Sequence, residues 1–160
     1  MKIMRTGIAS AAALILMMSS GAAWAREIPT TGMKVDDVFS WLGSKGYQAQ
    51  VETTSDGTRH VMSLTGGVKF GVYLFDCKGD TCGSMQFSAG FTTHGKFDIS
   101  RMNEWNRKKR WGRAYYDSVN DPWVEMDVDL TPGSSYELLD DELATWDTAL
   151  PAFVTMYELK

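Results

Sequence analysis

The segment Val68–Phe91 constrains the fold more than any other part of the sequence. Every second residue is apolar in two runs of this segment. The apolar positions are Val68, Phe70, Val72 and Leu74 in the first run and Met85, Phe87, Ala89 and Phe91 in the second. A period of two is typical of half-buried strands. The segment therefore predicts two strands joined by a turn, and that turn contains Cys77 and Cys82, the only cysteines of the chain.

The first 25 residues have the order of a secretory signal peptide. Lys2 and Arg5 precede an uncharged, mostly apolar run, and small residues follow it up to Ala25. This order predicts cleavage after Ala25 and a periplasmic or secreted mature protein. An uncleaved N-terminal anchor is the alternative. No segment of the mature chain approaches the roughly 20 apolar residues that span a bilayer, so we expect no transmembrane span there.

Residues 26–160 have the size of one domain. Without Lys2 and Arg5, 14 of the 16 basic residues remain against 20 acidic ones, so the net charge of the mature chain is −6. Binding to nucleic acid depends on basic residues that neutralise phosphates. An acidic exported chain therefore argues against a nucleic-acid partner.

Cys77 and Cys82 have three interpretations. In an exported chain the natural one is a structural disulfide across the mouth of the hairpin, which would contribute about 2 kcal/mol by closing a short loop. A redox role is disfavoured because the spacing is not Cys-x-x-Cys and no helix N-terminus follows to lower a thiol pKa. A metal centre is disfavoured because no recognised ligand spacing occurs. We expect no metal and no cofactor.

Periodicity and turn residues divide the rest of the mature chain. Helices are predicted at 33–45, at 99–111 and from the region of Tyr136 to Tyr157. The predicted strands outside the central hairpin are 48–53, 59–64, 113–117 and 123–130. The element order is α-β-β-β-β-α-β-β-α. It predicts an α+β fold in which helices flank an antiparallel sheet.

Specific residues are expected to begin these helices and to form their apolar faces. Asp98 is placed as the N-cap of the second helix, and Ser134 with Glu137 has the spacing of a capping box before the third. The apolar face of the first helix is predicted to contain Val35, Val38, Phe39 and Leu42. That of the third contains Tyr136, Leu139, Leu143, Trp146, Leu150, Phe153 and Tyr157.

Basic and aromatic residues are interleaved between the second helix and the following strand. The candidate partner-binding residues are Trp105, Arg107, Lys108, Arg110, Arg113 and Tyr115. Such a mixture can bind an anionic partner, a glycan or a lipid headgroup. The alternative is a solvated helix end whose cations complement the helix dipole.

The last strand alternates Val124, Met126, Val128 and Leu130 with three acidic residues. Glu125, Asp127 and Asp129 are expected to form a solvated face, because carboxylates in a row on a strand do not surround a calcium ion. If the turn before this strand has three residues, Arg113 lies opposite Asp129 and Tyr115 lies opposite Asp127.

Asn103 and Asn106 continue the face of the second helix that begins with Ile99 and Met102. Amides on a face that packs against a sheet need hydrogen-bond partners. We therefore expect both asparagines to face the sheet and to tie the helix to the adjoining strand, as scaffold rather than as ligand contacts.

Two segments carry a family resemblance, Asn103–Arg107 (NEWNR) and Trp111–Tyr115 (WGRAY). They are similar to the YbjN-domain family, in which an Asn-x-Trp-Asn segment precedes a strand and an acidic strand and a long C-terminal helix follow. The hairpin Phe75–Phe87 resembles the exported, cysteine-bearing branch of that family. The resemblance extends from about Met33 to Tyr157.

The resemblance implies a fold similar to that of type III secretion chaperones, which are small, often dimeric binders of other polypeptides. It also implies a bacterial sensory transduction regulator. We therefore expect a non-enzymatic binding or regulatory module that has a protein partner. A homodimer of this chain is also expected to be possible. The alternatives are an enzyme, either a thiol oxidoreductase using Cys77 and Cys82 or an unrecognised hydrolase, and a structural envelope protein that assembles with itself.

Overall fold

The structure is a computed structural model that describes residues 26–93 and 98–159; the predicted signal peptide, residues 1–25, lies outside the described residues. The helices of the described part are α1 (Val35–Ser44), α2 (Ser100–Lys108) and α3 (Tyr136–Tyr157). Its strands are β1 (Gln50–Thr53), β2 (Arg59–Thr65), β3 (Val68–Lys78), β4 (Thr81–Gly90), β5 (Arg113–Tyr116) and β6 (Pro122–Asp129). This order confirms the predicted α+β fold.

The strands form one antiparallel sheet in the order β1-β2-β3-β4-β6-β5. Two tight turns connect its central strands. Gly66 and Gly67 join β2 to β3, and both have positive φ angles, which glycine adopts at little cost. Gly79 and Asp80 join β3 to β4. The predicted hairpin is therefore the centre of the sheet.

The three helices lie on one face of the sheet. Trp146 of α3 packs against Phe70 and Phe87, with ring centroids 5.9 and 5.6 Å apart. α2 joins this layer through Trp105, whose ring meets Phe153 of α3 edge-on at 5.1 Å. α1 joins it through a hydrogen bond from its Trp41 indole to Asp140 of α3. The core therefore lies between one sheet face and a single layer of helices.

The predicted apolar face of α3 is confirmed. Leu139, Leu143, Trp146, Leu150, Phe153 and Tyr157 are all buried. The predicted capping box is wrong, because the helix begins one residue later. Ser135 is the N-cap and its Oγ accepts the backbone N–H of Leu138. Ser134 is instead held in a backbone contact with the N-terminal arm, its carbonyl accepting the N–H of Ile28 at 3.0 Å.

Two other details of the helices differ from the prediction. In α1 the buried residues are Val38, Trp41 and Leu42, whereas Phe39 is exposed. α2 ends at Lys108, because the backbone of Lys109 is already extended, and Ile99 rather than Asp98 is its N-cap. The Asp98 carboxylate still accepts the N–H of Ser100, at 2.9 Å.

Cys77 and Cys82 lie directly opposite each other on β3 and β4 and are joined by a disulfide. The backbone of Cys82 also holds the N-terminal arm. Its N–H donates to the carbonyl of Met33 at 2.8 Å, and its carbonyl accepts the N–H of Met33 at 3.1 Å. Gly32, the residue before this contact, has a φ of +91°. The cystine therefore lies where the arm, β3 and β4 meet.

Candidate functional site

The register of β5 and β6 differs from the prediction. Arg113 lies opposite Glu125 and Tyr115 lies opposite Trp123, so the predicted pairing with Asp129 and Asp127 is wrong. The connection between the strands is longer than a three-residue turn and spans residues 117–121. The carboxylate of Asp117 stabilises it by accepting the N–H groups of Val119 and Asp121 at 3.0 and 2.9 Å.

The environment of Glu125 differs from the predicted solvated face. It lies on the sheet face opposite the helices, but only 7% of it is exposed. Its carboxylate accepts hydrogen bonds from Arg113 Nε at 3.1 Å, Arg113 Nη2 at 2.7 Å and the Tyr115 hydroxyl at 2.7 Å. Asp127 and Asp129 are exposed, as predicted. Arg113 and Tyr115 therefore supply hydrogen-bond donors to both oxygens of the Glu125 carboxylate.

Arg113 and Tyr115 are thus already engaged within the sheet. The hydrogen bond to Glu125 raises the pKa of Arg113, so the guanidinium stays charged. These contacts stabilise the edge of the sheet between β5 and β6. Direct contact of either residue with a partner stays a prediction.

Alkaline pH should weaken the fold through Tyr115. Burial, with the added hydrogen bond to Glu125, raises the pKa of Tyr115 to about 12. An unfolded tyrosine titrates at about 10. The folded state therefore keeps a proton that the unfolded state loses, and this contribution to stability is complete below about pH 10 and disappears as the pH rises to about 12.

Tyr115→Phe is expected to lose stability less steeply than the wild type between about pH 9 and pH 11.5, because the phenol that titrates is absent. Urea unfolding across this range measures it. Burial also raises the pKa of Tyr47 and Tyr157, so only the difference between variant and wild type is informative. Parallel pH profiles of the two proteins would contradict the prediction.

Asn106 ties α2 to the outer edge of β5. Its Oδ1 accepts the N–H of Ala114 at 2.8 Å, and its Nδ2 donates to the carbonyl of Ala114 at 2.9 Å. The amide thereby occupies backbone groups that an edge strand otherwise offers to another chain. Asn103 is exposed, as Asn106 is, and its expected contact with the sheet stays a prediction.

Asn106→Ala is expected to lower the free energy of unfolding by about 1–3 kcal/mol, because it leaves two backbone groups of Ala114 without partners. The free energy of unfolding of Asn106→Asp should lie between those of the wild type and Asn106→Ala, because a carboxylate accepts the N–H of Ala114 but cannot donate to its carbonyl. Asn103→Ala is the matched control and should change stability by less than about 0.5 kcal/mol. Chemical denaturation of the four proteins tests this, and equal losses at positions 103 and 106 would refute it.

A groove of about 520 Å³ lies between α3 and the segment that leaves α2. Trp105 and Trp111 form its aromatic walls, and three cationic side chains line it. These are Lys108, Lys109 and Arg110. Small residues of α3 form the floor, namely Ala144, Thr145, Thr148, Ala149 and Ala152. The groove therefore combines apolar surface with positive charge.

The two tryptophans differ in exposure. Trp105 is 1% exposed, and its indole N–H donates to the carbonyl of Gly112 at 2.9 Å, so it supports the groove from inside. Trp111 is 51% exposed. The Arg110 guanidinium lies 4.9 Å from its ring centroid. An exposed tryptophan beside a cation is the type of side chain that dominates the energetics of many interfaces.

The cations of the groove differ in their ionic partners. Lys108 is paired with Glu104, and this contact lowers the pKa of the Glu104 carboxyl. Lys109 and Arg110 form no ion pair with any carboxylate among residues 26–93 and 98–159. Arg110 lies over Trp111 and Lys109 lies over Trp105, and neither is neutralised by a carboxylate of the described residues, although the chain has an excess of acidic residues. This arrangement is suited to an anionic partner.

Six residues were proposed from the sequence as partner-binding, and the structure brings three of them to the groove: Trp105, Lys108 and Arg110. Arg107 does not line it. Lys109 and Trp111 do, although they were not among the six candidates. Both belong to the same basic and aromatic run of the sequence. Their position in the groove could not be predicted from helix periodicity, because α2 ends at Lys108.

The part of the chain that the structure describes has two further properties. No three His, Cys, Asp or Glu side chains within it are grouped as a metal site would need. None of its helices combines the length and the apolar character required to cross a bilayer.

Comparison with known proteins connects this fold to one family. No curated protein matches the chain. The sequence model of the YbjN family, described as "putative bacterial sensory transduction regulator", matches residues 34–158. The matched range includes every helix and strand of the described structure, the cystine and the groove. The chain therefore belongs to the YbjN family.

Proposed function

We propose that this protein is an exported, non-enzymatic regulatory module that binds a protein partner in the groove between α2 and α3. The observation that carries the proposal is the half-exposed Trp111 with Arg110 over its ring, in a groove that Lys109 also lines, where it lies over Trp105. Neither cation forms an ion pair within the described residues. Aromatic anchors and arginines are the residues that contribute most at protein interfaces.

Export is supported by the order of residues 1–25 and by the cystine. Disulfides persist in the periplasm and outside the cell, whereas thiols stay reduced in the cytosol. Cys82 is buried, and its backbone holds the arm at Met33, so the cystine has a structural use that needs no redox chemistry. The family description, a regulator, agrees with a protein that acts by binding.

Site-specific photocrosslinking in the native envelope tests the proposal. A photoreactive amino acid replaces Thr148, an exposed residue on the floor of the groove, in the full-length chain. The matched control carries the same amino acid at Asp129, which is exposed on the opposite face of the sheet. We expect a discrete adduct with another polypeptide from position 148 that position 129 does not form.

Charge variants identify the surface responsible. Lys109→Gln with Arg110→Gln should reduce the adduct, whereas Arg107→Gln, from the same basic run but outside the lining of the groove, should leave it unchanged. An adduct of twice the mass of the chain would identify a second copy as the partner. Absence of any adduct specific to position 148 would refute the proposal, as would turnover of a substrate in this groove.

A further inference from the structure

We infer that the occupant of this groove is an acidic amphipathic helix of about three turns, supplied by the partner. The inference rests on the proposed function and specifies the partner that the site accepts. Three observations on the groove carry it: its length along α3, the chemistry of its walls and the position of its charges.

The groove is long enough for a helix. A second cavity, lined by Glu104, Pro151, Thr155 and Met156, adjoins the first and shares Lys108, Lys109 and Ala152 with it. Together the two cavities follow α3 from Ala144 to Met156. At a rise of about 1.5 Å per residue this segment is about 18 Å long, which corresponds to roughly three turns of a parallel helix.

The floor of the groove allows a helix to approach closely. Ala144, Thr148 and Ala152 recur every four residues, so they form one row along α3, and Thr145 and Ala149 form the neighbouring row. Rows of this spacing are the ridges and grooves by which helices pack against each other. Because all five side chains are small, larger side chains of an incoming helix can fill the space above them.

An extended peptide fits this groove less well. The described residues that line it belong to α2, to α3 and to the 109–111 segment, and none of them belongs to a strand. A strand bound here would bury backbone N–H and C=O groups without partners, at a cost of about 1–3 kcal/mol for each group. A helix satisfies its own backbone groups, so it avoids this cost.

The charges specify an acidic helix. Lys108, Lys109 and Arg110 all lie on the side of the groove formed by the end of α2. Among the described residues that line the two cavities, Glu104 is the single carboxylate, and its partner is Lys108. A bound helix should therefore carry aspartate or glutamate on the side that faces the end of α2. Its apolar stripe should face the floor and Trp111.

Designed peptides test the inference on the purified mature protein, residues 26–160, with its disulfide intact. The probe is a fluorescein-labelled peptide of 14 residues with leucines at i, i+3, i+4 and i+7 and glutamates on both flanks. Three controls have lysine in place of glutamate, the same composition in scrambled order, or a proline at the centre. We expect binding, measured by fluorescence anisotropy, of the acidic helical probe alone.

Variants of the protein assign the binding to the groove. The double variant Lys109→Gln, Arg110→Gln should lower the affinity for the acidic probe roughly five- to tenfold, as expected for the loss of two partly exposed ion pairs. It should also reduce the salt dependence of binding. Arg107→Gln should have no effect. Thr148 is exposed on the floor of the groove, so the larger side chain of Thr148→Trp should fill the space above the floor and prevent binding of the probe. Circular dichroism should show helix formation in the bound probe.

Several outcomes would overturn the inference. An acidic helix would be excluded if the scrambled, lysine or proline peptide bound as tightly as the acidic probe. It would also be excluded if Arg107→Gln lowered the affinity as much as the double variant does. Binding to vesicles of phosphatidylglycerol with no binding of the probe would identify a lipid surface instead. If position 148 crosslinks to a polypeptide but the probe does not bind, the partner uses another conformation and the proposed function survives. If neither occurs, both fail.

Discussion

Gly32→Ala is expected to lower the free energy of unfolding by more than about 3 kcal/mol. A Cβ atom on Gly32 would lie 1.9 Å from the carbonyl oxygen of Cys82, which no side chain tolerates. That oxygen accepts the N–H of Met33, so the arm must leave β4 to relieve the clash. The φ of +91° adds about 1–2 kcal/mol of backbone strain for any L-residue.

Gly57→Ala is the matched control for this effect. Gly57 has nearly the same φ, +90°, but its added Cβ would meet no heavy atom within 4 Å. It should therefore show the backbone strain alone, about 1–2 kcal/mol. Urea unfolding of the two variants, both with the disulfide intact, separates the clash from the strain. Equal destabilisation would mean that the arm does not depend on its contact with Cys82.

Trp146→Ala should cost about 3–5 kcal/mol, the range for removing a large aromatic side chain from a packed core. Trp146 is fully buried, and its ring stacks on Phe87 at a centroid distance of 5.6 Å and meets Phe70 edge-on at 5.9 Å. These contacts hold α3 on the centre of the sheet. Their loss should loosen α3 and with it the floor of the groove.

Trp111→Ala provides the comparison, because the same residue type is removed from an exposed position. It should change stability by less than about 1 kcal/mol while it weakens partner binding, since its ring is a wall of the groove. Thermal and urea unfolding measure the first effect, and anisotropy with the acidic probe measures the second. A large loss of stability in Trp111→Ala, or a small one in Trp146→Ala, would contradict the assigned roles.

The basic groove and the Glu125 cluster place the positive charges of one short segment in two different environments. Arg113 pairs with a buried carboxylate and stabilises the edge of the sheet. Lys109 and Arg110, only a few residues earlier, form no ion pair within the described residues. The basic residues of this run therefore do not form a single surface. Its charge-neutral variants should accordingly separate into stability effects at 113 and binding effects at 109 and 110.

Periodicity predicted the parts of the fold in which local pattern and burial agree. The alternation in β3 and β4 and the spacing of apolar residues in α3 both describe which side chains face the core, because backbone geometry alone determines that orientation. Composition and turn residues placed the cystine at the mouth of the hairpin. The element order followed from these signals together.

Local sequence patterns could not predict contacts between residues that are far apart along the chain. The start of α3 shifted to Ser135 because Ile28, more than 100 residues earlier in the sequence, bonds to Ser134. Phe39 is exposed because Trp41 occupies the space against α3 instead.

The amino-acid sequence by itself determined the element order, the apolar faces of β3, β4 and α3, and the position of the cystine, since each follows from residues that are neighbours along the chain. The tertiary structure alone decided that Glu125 is buried and that Trp111 lines a groove whose cations Lys109 and Arg110 form no ion pair within the described residues. The physical reason is that the register of β5 on β6 depends on a loop held by Asp117, and the groove exists only where α2 and α3 meet.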